Sequence, residues 1–144
     1  MEGKDANGNK LHEVCINHRL AVYIEKNLEQ RNFYYYVDIE YNKNFYCPKE
    51  LFINGTPAKV RPDILVHTRV VKNDLYNNYL IIEAKKDEDP HDDENKIEAF
   101  MRDPDFLYKF GCKIKYGDLT NNYQIKLYFS KNGQSIDDCE IRLE

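Results

Sequence analysis

The chain has 144 residues, 42% of them hydrophobic and 32% charged, with twelve Tyr and seven Phe; this excludes a disordered or membrane-embedded chain and suits one domain with one core. A formal net charge of −4 excludes polyanion binding through bulk charge, so any nucleic-acid contact has to come from a local basic surface. No apolar run nears the roughly 18 residues of a membrane helix, and the polar stretch Met1 to Lys10 lacks the apolar segment of a signal peptide, so a cytoplasmic location is expected.

Residues 1–10 read as a flexible arm, with Gly3 and the turn pair Asn7-Gly8, and residues 11–144 as a single domain. From Leu11 the spacing predicts a helix whose broad face carries Leu11, Val14, Cys15, His18, Ala21, Val22 and Leu28, unbroken until Asn32. A strand follows over Tyr34 to Asn42, where Tyr35, Val37, Ile39 and Tyr41 alternate with Tyr36, Asp38 and Glu40. Lys43 to Lys59, with Pro48, Asn54-Gly55 and Pro57, reads as a loop. Two strands are then expected, Arg61 to Val71 around Ile64-Leu65-Val66 and Tyr79 to Lys86 around Leu80-Ile81-Ile82. Their continuous apolar runs mark central strands covered on both faces.

The acidic stretch Asp87 to Glu94, with Pro90, reads as a solvated loop entering a second helix at about Asp93 to Met101. Next comes a strand over Phe110 to Tyr116, with Lys113 and Lys115 on the face opposite Cys112 and Ile114. The last strand spans Tyr123 to Ser130, with Tyr123, Ile125, Leu127 and Phe129 inward and Lys126 outward, before the turn Asn132-Gly133. The three lysines are read either as a basic ridge or as guards of a sheet edge. The order α-β-β-β-α-β-β implies an α/β protein with a mixed central sheet of about five strands between helices. Cys15, Cys47, Cys112 and Cys139 are far apart and form no C-x-x-C pair, so they are expected as reduced thiols, without zinc.

The chemistry concentrates where the two central strands meet. If their turn centres on Asn73, Asp63 faces Glu83, with Cβ atoms roughly 4.5 to 5.5 Å apart. A turn nearer Asn77-Asn78 slides the strands and parts the carboxylates by roughly 13 Å, unless a bulge at Pro62 restores them. Lys85 shares the face of Glu83 because strand side chains alternate. Two carboxylates and an ammonium at one place suit phosphodiester hydrolysis, in which a hard divalent cation offsets phosphate charge and a polarised water attacks. Oxygen donors without a His or Cys cluster favour Mg²⁺ or Mn²⁺.

With Pro62-Asp63 opening one strand, Glu83-Ala84-Lys85 ending the next, and helices on either side, the chain resembles the PD-(D/E)xK nuclease superfamily, the restriction-endonuclease-like fold. The similarity covers roughly Leu11 to Tyr128 and is strongest to a small bacterial subgroup with E-x-x-x-x-H-R and R-P-D-I-x-V-H segments, matched by Glu13, His18 and Arg19 and by Arg61 to His67. The resemblance implies Asp63 and Glu83 as metal ligands, the Ala84 carbonyl as a further ligand, Lys85 at the attacking water, and a first-helix Glu assisting. Glu13 fits that last role; Glu25, about 18 Å further along the helix, is the rival. His67, Arg61, Lys86 and Arg19 are candidate substrate contacts, although a His in an apolar strand is more often a hydrogen-bonded core residue.

The expected activity is metal-dependent cleavage of nucleic acid, DNA ahead of RNA, with specificity drawn from loops such as Lys43 to Lys59, from a homodimer, or from a partner protein. The alternatives are a catalytically idle nucleic-acid or protein-binding module on the same fold, and a small-ligand protein with an enclosed apolar pocket near His67.

Overall fold

The first apolar periodicity folds as helix α1 (Glu13–Gln30) in a computed structural model that describes residues 13–40, 43–44, 47–48, 50–53, 55–68, 78–85, 92–116, 123–131 and 135–143. The arm over 1–10 and the turn expected at Asn73 lie outside the described residues. The buried face of α1 is rotated from the expected one. Ile16, Asn17 and Ala21 are buried with Leu20 and Ile24 beside them, whereas Val14, Cys15 and His18 are exposed. Ile16, Leu20 and Ile24 recur every four residues, and this stripe wins the sheet because it continues into Leu28. The helix stops where Asn32 adopts φ 58°. There the Phe33 N–H donates to the Leu28 carbonyl at 2.9 Å and the Asn32 N–H to that of Glu29 at 3.0 Å, a cap that a left-handed Asn tolerates.

Among the described residues ten strands and one more helix follow: β1 (Tyr36–Ile39), β2 (Lys43–Asn44), β3 (Cys47–Pro48), β4 (Glu50–Ile53), β5 (Thr56–Lys59), β6 (Ile64–His67), β7 (Asn78–Lys85), α2 (Asp92–Arg102), β8 (Phe110–Lys115), β9 (Tyr123–Lys131) and β10 (Ser135–Leu143). Six of them form a mixed sheet in the order β1-β6-β7-β8-β9-β10. All neighbours run antiparallel except β7 and β8, which are parallel because α2 carries the chain back across the sheet between them. The protein is thus α/β. Among the described residues no helix is long and apolar enough to cross a membrane.

Two features differ from the sequence reading. The segment read as a loop holds two small hairpins, β2–β3 and β4–β5. The second closes over a two-residue turn in which Gly55 takes φ 78°, the left-handed backbone a tight hairpin needs. It delivers Leu51 fully buried into the core. The sheet also has a sixth strand, β10, whose Asp137-Asp138 pair and mostly exposed side chains hide the alternation; β9 templates it along nine paired positions.

Each face of the sheet carries its own core. Ile64, Ile82, Ala84 and Cys112 pack under α1 with Ala21, and the Cys112 thiol is pushed up to about 12 by burial. Leu65, Ile81 and Tyr128 pack under α2 with Leu51, Ile97, Phe100 and Met101. The central strands β6 and β7 are covered on both sides, and so is β9, where Tyr128 is buried opposite the face read as inward.

Helix α2 sits close because β8 has no side chain at Gly111: a Cβ there would run into Ile97 Cγ2 and come within 2.9 Å of Met101 Sδ. Gly111→Ala is therefore expected to lower stability by about 1–3 kcal/mol through overpacking. Urea unfolding measures it, and Ile97→Ala in the same chain should recover part of the loss.

At the start of β7 the pairing skips one residue. Val66 faces Leu80 and His67 faces Asn78, so Tyr79 is the extra residue of a bulge. Its ring stacks on Tyr35 at 4.9 Å and meets Phe110 edge-on at 5.2 Å, while Phe110 meets Phe129 at 6.1 Å. This aromatic row ties one end of the sheet together. The candidate site lies at the other end of β7.

Candidate functional site

β6 and β7 set the geometry. Ile64 pairs with Ile82 and Leu65 with Ile81, and one step along the same register Asp63 faces Glu83. Alternation puts Asp63, Glu83 and Lys85 on the α2 side with Leu65 and Ile81. Pro62 brings no N–H to the ladder, and the Asp63 side chain adds its own tie between the strands: its Oδ2 accepts the Ala84 N–H at 2.9 Å. The Asp63 carbonyl accepts the Glu40 N–H at 3.0 Å, so both ends of the residue are fastened to neighbouring strands.

Glu83 is 1% exposed. Its Oε1 lies 2.7 Å from Lys96 Nζ, an ammonium 18% exposed on α2, which also donates to the Arg61 carbonyl at 3.2 Å. The contact with Glu83 is a charge pair, since neither carboxylate oxygen has a well-aligned hydrogen-bond partner among the described residues. Burial pushes the Glu83 carboxyl up to about 8; Lys96 opposes that rise, and the charges of Asp63 and Asp93 add to it. Asp93 is buried in the first turn of α2, where the helix dipole favours a carboxylate.

The other candidates are scattered. Lys85 is half-buried, and its carbonyl accepts the Tyr116 N–H at 3.0 Å. Arg61 is exposed, 3.8 Å from Glu40 Oε1. Arg19 and Glu25 are exposed on α1. His67 is buried with Nε2 2.8 Å from Asp38 Oδ2, four residues along β6 from Asp63, or roughly 13 Å at 3.3 Å per residue. It is a core residue held by a carboxylate. The Glu13 side chain and Lys86 lie outside the described residues.

Two of the three ridge lysines lie beside acids. Lys113 and Lys126 face each other across β8 and β9, interior strands rather than edges, and Glu94 Oε1 lies 3.7 Å and 3.3 Å from their Nζ atoms. Lys126 also lies 3.7 Å from Asp138. Part of the acidic stretch read as solvated is therefore built into the protein.

Two residues of this site escaped the sequence reading, Asp93 and Lys96. A signal existed: Asp93, Ile97 and Phe100 are spaced i, i+4, i+7 and share the buried face of α2, which places an acid on an apolar stripe.

No family model, curated protein or solved structure matches this chain. Among the described residues no group of three or more His, Cys, Asp or Glu side chains converges as a metal cage. A magnesium-type ion does not need one, since it binds through one or two carboxylates and completes its shell with water and substrate phosphate. The donors fit such an ion. Asp63 and Glu83 offer hard oxygen donors on one side of the strand pair, and among the described residues the buried oxygens of Glu83 lack aligned hydrogen bonds.

Proposed function

We propose that the chain is a metal-dependent phosphodiesterase of the PD-(D/E)xK type, a nuclease acting on DNA ahead of RNA, on a restriction-endonuclease-like core. One observation carries the reading: carried one step past Ile64 and Ile82, the β6–β7 register opposes Asp63 and Glu83 where the apolar run of the two strands ends. The order of helix, antiparallel strands, crossover helix and parallel strand supports it.

In this reading Asp63 and Glu83 hold Mg²⁺ or Mn²⁺ and the Ala84 carbonyl lies beside them. The bound ion supplies Lewis-acid polarisation of the phosphate and of the attacking water. Lys85, on the same side of β7, orients that water and offsets developing charge. Glu13, which the resemblance gives as the remaining acid, begins α1, the helix on the opposite face of the sheet. Arg61, exposed at the mouth, suits contact with phosphate oxygens.

A second reading has its own support. Glu83 is almost fully buried and already paired with Lys96, as suits a catalytically idle scaffold that binds nucleic acid or protein. Purified protein incubated with supercoiled DNA, single-stranded DNA and RNA, with Mg²⁺, Mn²⁺ or a chelator, separates the two. Cleavage that needs the ion and falls at least about 100-fold in Lys85→Ala supports the nuclease. Binding without cleavage supports the scaffold, and inert protein sinks both nucleic-acid readings.

A further inference from the structure

Glu83 is a buried carboxylate opposed to a second one, and the charge closest to it comes from neither strand. Lys96 reaches it from α2, a helix whose Ile97, Phe100 and Met101 are locked into the core, so the fold itself holds the ammonium there. Nζ contacts Glu83 Oε1 at 2.7 Å and donates to the Arg61 carbonyl at 3.2 Å. The pair is reached from solvent at its lysine end, since Lys96 is 18% exposed against 1% for Glu83.

The charges are unequal. Once both carboxyls are ionised, one ammonium leaves a net negative charge, whereas a divalent cation balances both. Among the described residues neither Glu83 oxygen is held by an aligned hydrogen bond, so the Lys96 contact is what fastens this side chain, and a hard cation of higher charge competes for the same lone pairs.

We infer that Lys96 is the protein's own stand-in for the divalent cation: its ammonium occupies Glu83 Oε1 in the ion-free chain, and cation entry requires that contact to break. This rests on the reading of Asp63 and Glu83 as a metal-binding pair. Without the ion, Lys96 holds the Glu83 side chain in place. With the ion, Lys96 is released, and the apparent affinity is reduced by whatever the broken contact was worth.

Calorimetric titration with Mn²⁺ alone tests the inference, with no substrate and no turnover. Lys96→Met is expected to bind Mn²⁺ about tenfold more tightly than the unmodified chain; its melting temperature should fall in chelator and recover in Mn²⁺. If the unmodified chain binds Mn²⁺ and Lys96→Met binds it equally or more weakly, the inference is overturned while the metal-site reading stands. If neither protein binds Mn²⁺, that reading fails and takes the inference with it.

Should Lys96→Met not fold, the unmodified chain suffices. Amine acetylation followed by mass spectrometry should find Lys96 protected without the ion and several-fold more reactive in saturating Mn²⁺, with exposed Lys109 as the unchanged reference. Protection that persists in an ion-binding protein overturns the inference.

Discussion

Asp63→Asn is expected to leave the fold standing while lowering Mg²⁺-dependent cleavage by about 1,000-fold, the roughly 4 kcal/mol of transition-state stabilisation that a well-held metal supplies. An amide oxygen still accepts the Ala84 N–H that Asp63 Oδ2 accepts at 2.9 Å, so the strand junction survives. What is lost is the negative charge. Asp63→Ala removes the acceptor as well, and because Ala84 is fully buried its N–H is left without a partner, at a cost of about 1–3 kcal/mol. The two variants thus separate charge from structure: both lose cleavage, but only alanine loses stability in urea unfolding. Equal loss of stability in both would make Asp63 a structural residue. Undiminished cleavage in Asp63→Asn would remove it from the site.

A second large effect belongs to Glu83. Its carboxyl is raised from 4.5 to about 8, with burial as the main cause, Lys96 opposing and Asp63 adding. Between those values the folded chain holds a proton that the unfolded chain has released, so stability is lost as pH rises through that window. The loss is at most about 5 kcal/mol. Glu83→Gln has no such proton to lose. It should match the unmodified protein near pH 5, where Glu83 is neutral, and exceed it by several kcal/mol near pH 9. Denaturant unfolding across pH 5 to 9 in chelator measures the difference, and a constant gap between the two proteins would refute it. Mg²⁺ should narrow the gap at high pH by binding the ionised carboxylate of the unmodified chain, a form of ligand linkage.

What could be read without coordinates was whatever repeats locally. The apolar runs at Ile64-Leu65-Val66 and Leu80-Ile81-Ile82 identified the central strands, and the turn-prone Lys72-Asn73-Asp74 implied the register now seen between Ile64 and Ile82. What stayed hidden depends on packing between distant segments. The rotation of α1 is decided by which stripe the sheet accepts, and Val14 and Ile16 are equally apolar as letters. β10 exists because β9 pairs with it, not because Asp137-Asp138 favours a strand. Lys96 was hidden for the same reason: nothing near Glu83 in the chain announces a helix that crosses the sheet and lowers an ammonium onto it. Asp93, on a buried helical stripe, was the readable clue and was absorbed into an acidic run.

The carboxylates of β10 bear on how the molecule meets copies of itself. β10 ends the sheet with Asp137, Asp138 and Glu140 exposed, so a second chain trying to extend the ribbon there would bring row against row of like charge into register at neutral pH. Side-by-side polymerisation through that border is disfavoured, and a twofold partnership has to be built on another surface.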